Sequence, residues 1–107
     1  MKAKYVQKGE NIDYQNTGSA AIGAGDVVDL GTRIGVAGTD IAVGGLGSLH
    51  MTGVFTMPKE TGIDIAVGDL VYFNGTAITK TNTDTPAGYA VATSTTTSSV
   101  VEVKLLG

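Results

Sequence analysis

Cysteine and tryptophan are missing from this 107-residue chain, and it holds two prolines, one histidine, four tyrosines and two phenylalanines. Without cysteine there is no disulfide framework, no thiolate nucleophile and no Cys-ligated metal, so stability must come from packing or assembly. The few aromatics make the core aliphatic. Long apolar runs are missing too: no stretch of about 18 residues could cross a bilayer as a helix. The start, Met1-Lys2-Ala3-Lys4-Tyr5-Val6-Gln7-Lys8, is basic but lacks the apolar segment of a secretory signal. The expectation is a soluble protein made in the cytoplasm and not secreted, with no membrane partner. Cations are scarce, seven Lys and Arg against ten Asp and Glu, and only Lys2, Lys4 and Lys8 cluster, loosely. A nucleic-acid ligand needs clustered cations to displace phosphate counterions, so none is expected.

What is abundant is glycine, sixteen residues, with many Thr and Val and 42% hydrophobic residues. That is the composition of a folded, turn-dense β protein of a single domain's length. One unit occurs three times: Ile22-Gly23-Ala24-Gly25-Asp26-Val27-Val28, Ile41-Ala42-Val43-Gly44-Gly45-Leu46 and Ile65-Ala66-Val67-Gly68-Asp69-Leu70-Val71. An apolar anchor, two spacers, a Gly able to take positive φ and an Asp able to accept backbone amides describe a turn feeding a strand. Gly25, Asp26, Gly44, Gly68, Asp69, Asn74 and Gly75 are therefore read as structural turn residues. Asn74-Gly75 predicts a two-residue hairpin loop between Leu70–Phe73 and Thr76–Lys80.

Residues 1–20 are polar and aperiodic and read as an extended arm or first edge strand, ahead of a β domain over 21–107. Alternation predicts strands at Asp26–Leu30, Arg33–Ala37, Gly88–Ala92 and Val101–Leu105, and a long one over Leu49–Met57 that Pro58 ends. Thr81–Pro86 and Thr93–Ser99 read as loops. No window supports an amphipathic helix, so the fold class is all-β, a small barrel-like or sandwich-like module.

Residue patterns that could carry chemistry are few. No Gly-Lys pair precedes a hydroxyl residue, so there is no P-loop, and Gly23-Ala24-Gly25 lacks the third Gly and helix of a dinucleotide fingerprint. Ser48 and His50 share a strand face but sit about 7 Å apart, too far for a nucleophile and its base. Asp64 with Asp69, or Asp26 with Asp29, could converge as catalytic carboxylates. Turn capping already accounts for each of them. The expectation is a non-enzyme with no catalytic residue, no metal and no cofactor. Lys2, Lys4, Tyr5, Lys8 and Tyr14 are the candidate contact residues, an arm that orders on a partner.

The turns at 22–28 and 68–72, with Gly35-Val36-Ala37, Asp40-Ile41, Gly53-Val54-Phe55, Met57-Pro58-Lys59, Gly88-Tyr89-Ala90 and Val101 to Leu105, resemble the small capsid-cement, or head-decoration, proteins of tailed bacteriophages and prophages. Gly45 departs from the acidic or polar residue expected there. The resemblance implies a module that docks on the outside of the expanded head and reinforces it against packaged DNA. Its partner would be the major capsid protein, its site the virion exterior, and its self-assembly a homotrimer matching three-fold positions. Two other readings remain open, a small carboxylate-based enzyme and a carbohydrate- or receptor-binding β module.

Overall fold

The computed structural model describes residues 1–107 and contains nine strands and no helix. In chain order, β1 is Asn11–Gln15, β2 Val27–Asp29, β3 Ile34–Ala37, β4 Leu46–His50 and β5 Val54–Pro58. Then come β6 Leu70–Phe73, β7 Ile78–Thr79, β8 Thr85–Ala90 and β9 Val100–Leu105. Two antiparallel sheets result, ordered β1-β4-β3-β2 and β5-β9-β8-β6-β7. The all-β, sandwich-like expectation holds.

The repeated unit forms the same turn each time. Gly25, Gly44 and Gly68 have φ of 89°, 76° and 89°, and the amides of Asp26, Gly45 and Asp69 bond back to the carbonyls of Gly23, Ala42 and Ala66 at 3.0, 2.8 and 3.1 Å. This is a type II turn, whose third residue needs positive φ. Where an Asp follows, its carboxylate closes the turn: Gly23 N–H donates to Asp26 Oδ2 at 2.8 Å and Ala66 N–H to Asp69 Oδ2 at 2.9 Å.

A fourth turn with the same hydrogen bond but no positive φ lies in the Thr-rich stretch, where Ser98 N–H bonds Thr95 O at 2.9 Å. The four turns pair off. Ile22 bridges Ile41, and Ile65 bridges Ser94. With that correspondence the two sheets repeat one design. Gly25 N–H donates to Ala37 O and Gly68 N–H to Ala90 O, both at 2.7 Å; Ala37 N–H returns to Asp26 O and Ala90 N–H to Asp69 O. Strands β1, β2, β3 and β4 thus match β5, β6, β8 and β9, with the same sheet order.

A buried polar peg occupies the same place in each half. Asn16 donates from Nδ2 to Ala20 O and Ile41 O at 2.9 and 3.2 Å, while Lys59 donates from Nζ to Ile63 O at 2.8 Å and to Thr95 O. Both are almost fully buried. Each holds the loop between its edge strand and its Gly turn against the body.

The halves differ in one addition. Strand β7 follows β6 and pairs with it, Tyr72 with Thr79 and Phe73 with Ile78. Ile78 then bridges Lys59 in parallel, and Glu60 N–H donates to Ile78 O at 2.9 Å, so the five-stranded sheet curls until its edges meet. The main core fills that curl with Met57, Ile65, Val71, Ile78, Ala87, Ala90, Val101, Val103 and Leu105, joined by Ile34 and Val36 from the other sheet. A second cluster, Val28, Ala37, Ile41, Leu49 and Met51, sits under the four-stranded sheet.

Three strand expectations need correction. Leu49–Met57 is not one strand: it breaks over Met51–Gly53, where Gly53 takes φ 115° and the chain crosses from one sheet to the other. Alternation survives the break, since Leu49, Met51 and Met57 are all buried, and that continuity hides it. The hairpin loop is shifted by one residue. Asn74 N–H bonds Ala77 O at 3.1 Å, so Gly75 and Thr76 are the loop residues, and only Gly75 has positive φ. Asn74 caps instead, its Oδ1 accepting the amides of Thr76 and Ala77 at 2.9 Å each. Finally, β8 begins at Thr85, inside the stretch expected as a polar loop.

Candidate functional site

Of the four carboxylates that could have formed a catalytic pair, Asp26, Asp29 and Asp69 are engaged, and Asp64 is exposed and accepts only through its backbone carbonyl, from Lys80 Nζ. Asp26 caps its own turn. Asp29 accepts the Gly31 amide at 2.7 Å through Oδ1 and the Thr85 hydroxyl at 2.9 Å through Oδ2. Asp69 caps its turn and pairs with Lys80 Nζ at 3.3 Å. The Ala66 amide and the Lys80 ammonium hold the Asp69 carboxyl below its ordinary range. A depressed carboxylate stabilises the fold above the unfolded value of about 3.9, and that contribution is lost as pH falls through the folded value. Asp69→Asn should therefore melt below the parent at pH 7, with the gap closing below about pH 4. A gap independent of pH, read by thermal melts across pH 3–7, would contradict this account of Asp69.

His50 lies in β4 and is half-buried, with Nδ1 2.9 Å from Asn11 Oδ1 and its ring centroid 6.0 Å from that of Phe55. No serine approaches it within bonding distance, and no three His, Asp or Glu gather as metal ligands. His50→Ala should cost about 1 kcal/mol through the lost hydrogen bond and packing and leave biological activity unchanged. Loss of activity with fold and partner binding retained would turn the assignment toward an enzyme.

Lys2, Lys4, Tyr5 and Lys8 lie in the exposed stretch before β1, with Tyr5 81% and Val6 85% exposed. Tyr14 does not join them. It sits in β1 opposite Gly47 and packs on the second core cluster.

A surface the sequence analysis missed crosses the outer face of the five-stranded sheet. Register places Val54 beside Lys104, Lys104 beside Tyr89 and Tyr89 beside Leu70, one residue from each of four strands. All four side chains point outward; Leu70 is 62% and Val54 53% exposed. Lys104 Nζ lies 5.8 Å from the Tyr89 ring centroid. Leu106 extends the patch and, with Leu70, Tyr72 and Pro86, lines a shallow cleft of about 150 Å³. Exposed apolar side chains with Lys104 set among them and Glu102 beside it on the same strand have the make-up of a contact surface. A larger cleft of about 330 Å³ opens between β2 and the β6–β7 hairpin.

Residues 6–105 match the family described as phage cement protein. The chain belongs to that family. Neither the curated proteins nor the solved structures contain a match to it. A cement protein is a structural component of the phage capsid with a stabilising role, and the family is not an enzyme family. The geometry is in keeping with that: turns and pegs engage Asp26, Asp69, Asn16 and Lys59 of this cement protein, and its outward faces carry exposed apolar groups.

Proposed function

We propose that this protein docks on the outer surface of the expanded phage head, binds the major capsid protein and stabilises the shell against packaged DNA. The match across residues 6–105 carries the reading. The row Val54, Lys104, Tyr89 and Leu70 is the contact face, because exposed apolar side chains held on a rigid sheet bind without a large ordering cost. Lys2, Lys4, Tyr5 and Lys8 supply a second contact, to the shell or to a neighbouring copy, with Tyr5 as anchor and the lysines pairing with acidic groups. Copies cluster as homotrimers at three-fold positions, where shell symmetry requires matching symmetry. Many copies convert modest single contacts into a large total by multivalency.

Co-sedimentation of the purified protein with expanded and unexpanded shells of the same phage tests the reading. It predicts saturable binding to expanded shells and little to unexpanded ones. Equal binding to both would remove the expanded-head assignment, and binding to neither would remove the shell as partner. Leu70→Asp on the contact face should weaken binding at least tenfold with the fold intact.

A further inference from the structure

The internal repeat has one position that is filled in the second half and empty in the first. In the second half β7 lies along the outer edge of β6. Its counterpart β2 has nothing along its outer edge. Ala37 N–H bonds Asp26 O and Leu30 N–H bonds Arg33 O, both at 2.9 Å. By the alternation of an antiparallel ladder, the backbone of Val28 also faces β3, and the amides and carbonyls of Val27 and Asp29 face away from it. These correspond to Leu70 and Tyr72, and Tyr72 is the residue that pairs with Thr79 of β7. The free edge borders the 330 Å³ cleft, whose walls include Asp26, Val27, Met57, Phe73 and Ile78. That space equals about eleven water molecules at ~30 Å³ each. It suits one large side chain entering from an added strand.

We propose that the N-terminal segment of a second copy of this chain adds to the β2 edge and seats Tyr5 in this cleft, completing the first half as β7 completes the second. The inference deepens the proposed function and rests on it for where the assembly acts. Three observations point to this occupant. Residues 1–9 form no strand or helix of their own, and Tyr5 and Val6 are exposed. From Glu10, which Met51 N–H ties to the body, back to Tyr5 the extended chain reaches about 17 Å, enough to cross to an abutting neighbour. Charge is complementary: three of the seven cations, Lys2, Lys4 and Lys8, lie in it, which leaves four cations against ten carboxylates in the rest, a balance of −6. Asp26 and Asp29 stand at the acceptor edge. The contact is heterologous, arm to groove, so copies close into a ring or run on as an open chain, and a ring of three fits a three-fold shell position.

The chain has no cysteine, which makes cross-linking clean. Tyr5→Cys protein is mixed with Val27→Cys protein under mild oxidation, and the hetero-disulfide dimer is compared with that from Tyr5→Cys mixed with Thr97→Cys, an exposed turn tip. Thr76→Cys, on the opposite wall of the cleft, serves as a second acceptor should Val27→Cys lower stability. At least tenfold more heterodimer with Val27→Cys or Thr76→Cys than with Thr97→Cys is expected, together with an oligomer by light scattering for the full chain. Equal yields at all three sites overturn the inference. So does an intrachain disulfide alone in the Tyr5→Cys/Val27→Cys double variant, which would mean the segment folds back on its own chain. Missing cross-links with intact sedimentation on expanded shells would sink arm exchange only; failure of the unmodified chain to sediment would sink the shell reading instead.

Discussion

Gly88→Ala is expected to lower stability by about 4 kcal/mol, with the melting temperature falling by about 15–20 °C. Gly88 lies in β8 between Val71 and Leu105, where the register with β6 shifts. A Cβ there would stand 1.9 Å from the Lys104 carbonyl oxygen and 2.9 Å from its carbon. Backbone in the middle of a sheet cannot swing aside as a side-chain tip can, and φ of +148° adds strain for any L side chain. Overpacking and strain together reach the upper end of single-substitution effects. Gly62→Ala is the control. It also has positive φ, +82°, but nothing lies within 4 Å of the added Cβ, so strain alone should cost about 1 kcal/mol. Equal melting points for the two variants would mean that the β8–β9 backbone yields freely.

Asn16→Asp should cost about 3 kcal/mol at neutral pH although it changes one atom. Asn16 is buried, and its amide nitrogen is the donor to Ala20 O and Ile41 O while its Oδ1 accepts the Gly18 amide at 3.0 Å. An aspartate there points an oxygen at two carbonyls. The group then either protonates or breaks the peg, so its pKa in the folded state is raised. A raised carboxyl destabilises above its unfolded value and not below it, hence the penalty should shrink below about pH 4. Urea unfolding at pH 7 and pH 3.5 measures both. A midpoint equal to the parent's at pH 7 would show that the peg contributes nothing.

The parts legible in the sequence are those whose chemistry is local. A type II turn needs its Gly, and Asp26 and Asp69 cap within three residues, so three of the four repeated turns can be read directly. The fourth cannot, because Ser94 replaces the Ile anchor and Thr97 stands at the Gly position without positive φ. Its hydrogen bond is the same, but a turn that needs no Gly leaves no Gly signature. The two pegs are equally silent, since Asn16 and Lys59 look like surface residues until the loops close over them. Alternation placed the inward side chains of β4 and β5 correctly and concealed the break between them. Of the candidate contacts, the basic N-terminal cluster is a matter of composition. The row from Val54 to Leu70 exists only through the register of four strands scattered over the second half of the chain.

The central claim is that the protein reinforces a DNA-filled head, and DNA release on heating tests it most directly. Expanded heads lacking the protein are heated with a DNA-binding dye, with and without saturating added protein. The account predicts that added protein raises the release temperature by several degrees, saturating at a fixed number of copies per head, and that Leu70→Asp protein does so far less. An unchanged release temperature at saturating occupancy would contradict it.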